Sequence, residues 1–68
     1  MKVVKVGNSD DDNMRSNTEY FLTPISEPKV GRHMWFESSG RTLYYTEPVI
    51  KYNKDYIRTK KCKYLLIS

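Results

Sequence analysis

The stretch Arg32-His33-Met34-Trp35-Phe36-Glu37-Ser38, followed by Ser39-Gly40 and then by Arg41-Thr42-Leu43-Tyr44-Tyr45-Thr46, decides the fold. Two runs rich in aromatic and β-branched residues flank a Ser-Gly pair, which is the sequence sign of a hairpin. A two-residue turn at Ser39-Gly40 pairs Ser38 with Arg41. It then sets Phe36 opposite Leu43, Met34 opposite Tyr45, Trp35 opposite Tyr44 and His33 opposite Thr46. Side chains alternate between faces along a strand. Met34, Phe36, Leu43 and Tyr45 therefore form one apolar face, and His33, Trp35, Glu37, Thr42 and Tyr44 form the other. A slip of one residue on one strand mixes the two sets, so the register is a strong expectation.

Outward from this hairpin the chain continues in short extended pieces. Residues 3–6 and 18–23 read as strands before it, and Pro24, Pro28 and Gly31 separate them from it. Residues 49–52, 55–59 and 62–67 read as strands after it. Pro48 bends the entry to the first, and Asn53-Lys54 and Lys60-Lys61 turn between the others. Pairing around Lys60-Lys61 places Arg58 opposite Lys63 and Cys62 opposite Thr59. It also aligns Ile50, Ile57 and Tyr64 as a second core row.

Composition agrees with this reading. The chain has no Ala and no Gln, which removes two good helix formers. Tyr, Thr, Val and Ile supply 20 of the 68 residues, and these suit a half-buried pleated surface. The expected fold is all-β: a single domain over residues 1–68, built as a small SH3-like barrel or a meander of five to six short antiparallel strands. An OB-like barrel usually carries a helix between two strands, and no helical period is present. A chain this short holds one core at most. A lone Cys cannot form an internal disulfide, and one His with one Cys excludes a zinc site of Cys and His ligands. No apolar run approaches the length of a membrane-spanning helix, and Met1–Gly7 is too short an apolar run for a signal peptide. The lone thiol fits a reducing, cytoplasmic setting.

Charge is unevenly divided. Residues 1–28 carry three basic and five acidic side chains, net −2, and residues 29–68 carry nine basic and three acidic, net +6. Residues 7–17 are polar, acidic and rich in turn formers, and read as a mobile loop. Within and just beyond it, Asn8, Asp10, Asp12, Ser16 and Glu19 fall at positions 1, 3, 5, 9 and 12 of a calcium loop. Against this, position 6 is Asn13 in place of Gly, and strands flank the loop where helices are needed. No other cofactor or metal site is expected.

The run Pro28-Lys29-Val30-Gly31, the aromatic hairpin, Thr46-Glu47-Pro48-Val49, and Thr59 with Tyr64 and Leu66 resemble small barrel proteins encoded by bacteriophages and prophages. The resemblance covers roughly residues 28–67. It implies a viral origin and a non-enzymatic binder, and it brings no catalytic residues; with the small size and the Trp35/Tyr44 face, the expected partner is a host protein.

The residues themselves offer two binding surfaces. Trp35, Tyr44, His33 and Arg41 on the outer side of the hairpin suit a protein partner, because exposed aromatic residues with Arg are frequent interface anchors. Arg58, Lys60, Lys61 and Lys63 with Tyr56 suit single-stranded nucleic acid, because cations track phosphates and rings stack on bases. An anionic partner is expected to meet residues 41–63 and to avoid 8–19. Catalysis lacks its parts. Cys62 reads as a buried small hydrophobe, and His33 stands about 13 Å along its strand from Glu37, too far to share a proton.

Overall fold

The computed structural model describes residues 1–68, and every regular element in it is a strand. In chain order these are β1 (Lys2–Gly7), β2 (Glu19–Pro24), β3 (Trp35–Ser38), β4 (Leu43–Tyr45), β5 (Val49–Tyr52), β6 (Tyr56–Thr59) and β7 (Cys62–Ile67). They form one sheet in the order β4-β3-β2-β1-β7-β6-β5, antiparallel at every step. Six antiparallel steps separate β4 from β5, so these two edge strands run in the same sense. Only Thr46, Glu47 and Pro48 lie between them in sequence, so β4 and β5 are one strand bent at a corner. Joining the edges covalently curls the sheet into a half-barrel, about 28 × 22 × 20 Å. Counting the bent strand once gives six, the upper end of the expected number.

The inner face holds Val3, Leu22, Met34, Phe36, Val49, Ile57, Cys62 and Tyr64, with Met14 supplied from the β1–β2 loop. Strand parity explains the set. Val3 is inward on β1, as are Tyr20 and Leu22 on β2, Ile57 and Thr59 on β6, and Cys62 and Tyr64 on β7. Each large apolar side chain withdrawn from water contributes about 1.5–3 kcal/mol, which a chain of this size needs.

The β3–β4 register differs from the expected one. Trp35 pairs with Tyr45, Phe36 with Tyr44 and Glu37 with Leu43. The cause is the turn. Arg41 N–H donates to Ser38 O and Ser38 N–H to Thr42 O, which closes a three-residue loop. The left-handed position falls on Arg41, with φ 64°, and not on Gly40. One residue more in the loop exchanges the faces of β4. Tyr44 turns inward beside Tyr20, with ring centroids 5.0 Å apart, while Leu43 and Tyr45 turn outward.

The last two strands keep the expected register, with Ile57 on Tyr64 and Arg58 on Lys63. The Ile50 row does not form. A bulge between Val49 and Lys51 leaves Ile50 as the extra residue, exposed, and Val49 fills the inner position in its place.

Residues 7–17 are tied to the body. Asn13 grips the free edge of β4 with both ends of its amide, its Nδ2 donating to Leu43 O and its Oδ1 accepting Tyr45 N–H, each at 2.8 Å. Met14 enters the core and the Asp12 side chain is buried, so two residues of the expected mobile loop pack against the body.

Candidate nucleic-acid interface

Three cations stand side by side on the outer face. Lys51 on β5 pairs with Arg58 on β6, and Arg58 pairs with Lys63 on β7. All three are exposed, and the neighbours of Arg58 and Lys63 along their strands, Ile57, Thr59, Cys62 and Tyr64, are buried on the inner side. The β6–β7 turn adds Lys60 and Lys61, both exposed. The two ion pairs of the chain, Lys2–Glu19 and Lys5–Asp12, involve none of these five. Like charges directly opposite on neighbouring strands are destabilising. One contact partly offsets this: the Lys63 ammonium sits 4.5 Å from the centre of the Tyr56 ring. An open cleft lined by Val6, Gly7, Tyr56, Arg58, Lys60 and Lys61 lies at this end of the sheet.

The turn that carries Lys60 and Lys61 is held from beneath. The buried Glu47 carboxylate accepts Thr59 Oγ1 at 2.6 Å and Lys61 N–H at 3.1 Å through one oxygen, and Ser9 Oγ through the other. Burial alone would raise the Glu47 pKa, but these donors outweigh it and hold the group below its usual value. Thr59 Oγ1 also bridges the turn by accepting Cys62 N–H at 3.1 Å. Gly7 lets β1 pass close under the turn. Its φ is +106°, and a Cβ there would lie 2.5 Å from Lys61 O.

Behind the corner the buried polar groups form one chain. Tyr64 O–H donates to Asp12 and accepts Glu47 N–H at 3.0 Å. Lys5, 2% exposed, donates to Asp12 at 2.8 Å, to Met14 O and to Ser9 O. Every buried side-chain polar atom in the chain has a hydrogen-bond partner. Burial and the hydrogen bond to Asp12 push the Tyr64 phenol up. Burial, then the Glu47 charge, pushes the Cys62 thiol up, away from the reactive thiolate.

The residues read from the sequence as binding or metal candidates fall as follows. Arg58, Lys60, Lys61, Lys63 and Tyr56 come together as one patch, and Lys51, which was missed, extends it. Its position was hidden by the bulge at Ile50. Trp35, Tyr44, His33 and Arg41 do not share a face. Tyr44 is half-buried on the inner side, and Arg41 sits in the turn at the far end of the hairpin. Trp35 instead lies against Tyr45, with centroids 4.9 Å apart, and Tyr45 meets His33 edge-on at 5.5 Å. The His33 ring donates from Nδ1 to Thr46 O, since a carbonyl only accepts, and this fixes its orientation.

The calcium-loop residues scatter. Asp12 is committed to Lys5 and Tyr64, and Glu19 lies on β2 beside Lys2. Asn8 accepts from Ser16, and Asp10 is exposed. No three His, Cys, Asp or Glu side chains converge on one point. Lys5, Glu47 and Tyr64 were not singled out as a polar network. The available signal was parity: Lys5 alternates with Val3 and so points the same way. No family model, no curated protein and no solved structure matches this chain.

Proposed function

We propose that this chain is a non-enzymatic binding domain that holds single-stranded nucleic acid along its outer basic face. The row Lys51–Arg58–Lys63 across three adjacent strands, with no carboxylate partner, carries the reading. A fold that places like charges in cross-strand register loses stability unless an anion meets them. Phosphates at regular intervals fit such a row, and Tyr56 beneath Lys63 offers a ring for a base.

The test is fluorescence anisotropy with an end-labelled mixed-sequence oligonucleotide at several salt concentrations. Each phosphate contact contributes about −0.7 to the slope of log K against log salt for single strands, so three to five contacts give about −2 to −3.5. The double variant Arg58→Gln/Lys63→Gln is expected to make the slope shallower by about 1.4. No binding at low salt overturns the reading.

A second reading is a protein partner, in line with the non-enzymatic binder that the resemblance to phage and prophage proteins implies. The observation in its favour is Trp35, 38% exposed on the Tyr45–His33 stack. Affinity capture from a nuclease-treated bacterial lysate is its test. A recovered protein that Trp35→Ala fails to release removes that surface from consideration.

A further inference from the structure

The basic row does not stop at the edge strand. Segment 29–32, between β2 and β3, lies along β5: Gly31 N–H donates to Val49 O at 2.7 Å and Val49 N–H donates to Arg32 O at 2.9 Å. Val30 and Val49 form a parallel bridge. The segment therefore touches the sheet at the first residue of β5, and it carries two more exposed cations, Lys29 and Arg32. Neither is ion-paired. From this segment opens a second shallow cleft, lined by Ser26, Glu27, Lys29, Arg32, His33 and Trp35. Glu27 is its one carboxylate, against two cations.

Trp35 forms one wall of that cleft. Its indole is held by Tyr45 behind it, and Tyr45 by His33, whose ring is fixed on Thr46. The Trp35 backbone is pinned as well, its N–H donating to Ser26 Oγ. The result is a held, partly exposed aromatic plane in a cleft that it shares with Lys29 and Arg32, next to the start of the strand that carries Lys51. Single-strand binders combine these two elements, a charged path for the backbone and fixed rings for the bases.

We infer that Trp35 is a base-stacking platform, and that Arg32 and Lys29 hold the adjacent phosphates, at one end of the track whose other end is the Lys60–Lys61 turn. This rests on the nucleic-acid reading given above. It joins the two surfaces that the sequence presents as alternatives into one continuous site.

Trp35 is the only Trp, so its fluorescence reports on this subsite directly in the unaltered protein. The probes are a single-stranded DNA 12-mer of mixed sequence and sodium polyphosphate, a polyanion without bases. Anisotropy or competition measures binding, and tryptophan emission measures stacking. The expected result is that both polyanions bind, while only the DNA quenches Trp35. Trp35→Ala is expected to weaken DNA binding about 5- to 100-fold, with the salt slope and polyphosphate affinity unchanged. Trp35→Tyr, which keeps a ring, is expected to restore most of the affinity. Binding with unchanged tryptophan emission, equal quenching by polyphosphate, or full DNA affinity in Trp35→Ala overturns the stacking site and leaves the basic-face reading standing. Absence of binding by either polyanion at low salt overturns both.

Discussion

The interior and the exterior of one end of this half-barrel treat charge in opposite ways. Inside, Lys5, Asp12 and Glu47 are buried and each is matched: ammonium on carboxylate, carboxylates on hydroxyl, phenol and backbone donors. Outside, on β5, β6, β7 and the turn between β6 and β7, Lys51, Arg58, Lys60, Lys61 and Lys63 have no carboxylate within ion-pair reach. Burying an ion is costly unless its partner and hydrogen bonds are in place, so the inner charges are tolerable only as a complete set. The outer cations remain in water and need no partner to be tolerated, yet they repel across the strands. Charge inside this end of the molecule serves the fold. Charge outside works against it, mildly, and on the proposed reading is kept for a ligand.

The contrast breaks most visibly at Lys5. Lys5→Met leaves Asp12 buried without its cation, a change that costs about 3–5 kcal/mol. Stability near 0.05–0.15 kcal/mol per residue gives a domain of this length about 3–10 kcal/mol in total. Urea titration followed by circular dichroism is therefore expected to find the variant largely unfolded or close to it. The pair Lys5→Met with Asp12→Leu is expected to recover part of the loss, because no unpaired charge remains. A Lys5→Met protein as stable as the parent would show that the inner network does not hold the loop to the body.

Two substitutions probe the boundary between the regions. Gly7→Ala forces a side chain into a positive-φ position and against Lys61 O. It is expected to cost about 1–3 kcal/mol and to displace the Lys60–Lys61 turn, seen as a lower melting temperature together with weaker oligonucleotide binding. Glu47→Ala strips the acceptor from Thr59, Lys61 and Ser9 and is expected to cost a similar 1–3 kcal/mol. Its pH dependence has a definite sign. The folded-state pKa of Glu47 is lowered from 4.5, so the stabilisation is complete above that value and is lost as the pH falls through the lowered one. The stability gap between the parent and Glu47→Gln is expected to close in acid below pH 4.5. A gap that is constant with pH would mean that the carboxylate's charge plays no part.

Much of this was legible in the residues, and the failures have particular causes. The all-β class followed from β-branched and aromatic content, and the β6–β7 register followed from the Lys60-Lys61 turn. The β3–β4 register was missed because a Ser-Gly pair favours a two-residue turn, whereas Arg41 takes the left-handed position and lengthens the loop. That extra residue alone moves Tyr44 from the expected outer face to the inner one. Ile50 was placed in the core because a bulge after Pro48 leaves no mark in a hydrophobic pattern. The basic patch was legible because Arg58 and Lys63 share a hairpin. The proposed extension to Arg32 and Trp35 was not, since it depends on segment 29–32 folding back on Val49. The polar network was hidden for a similar reason. Asp12 and Glu47 lie far apart in sequence, and a polar loop gives no sign that one of its carboxylates is buried.

The smallest expected effect is also the one that separates the two regions by sign. Arg58 stands between Lys51 and Lys63, so Arg58→Gln removes a like charge from both neighbours. The relief is expected to raise stability by about 0.2–1 kcal/mol, measured as a higher urea midpoint at low salt. Added salt screens the same repulsion, so the gain is expected to shrink as ionic strength rises. Oligonucleotide affinity in the same variant is expected to fall, with a salt slope shallower by about 0.7. Inside the barrel, by contrast, no change of one charged residue for a neutral one gains stability, because each is already matched. A protein made more stable and a weaker binder by one substitution is what a ligand-directed cation predicts. If Arg58→Gln were instead destabilising at every salt concentration, the outer row would be acting as part of the fold, and the distinction between the two faces would fail.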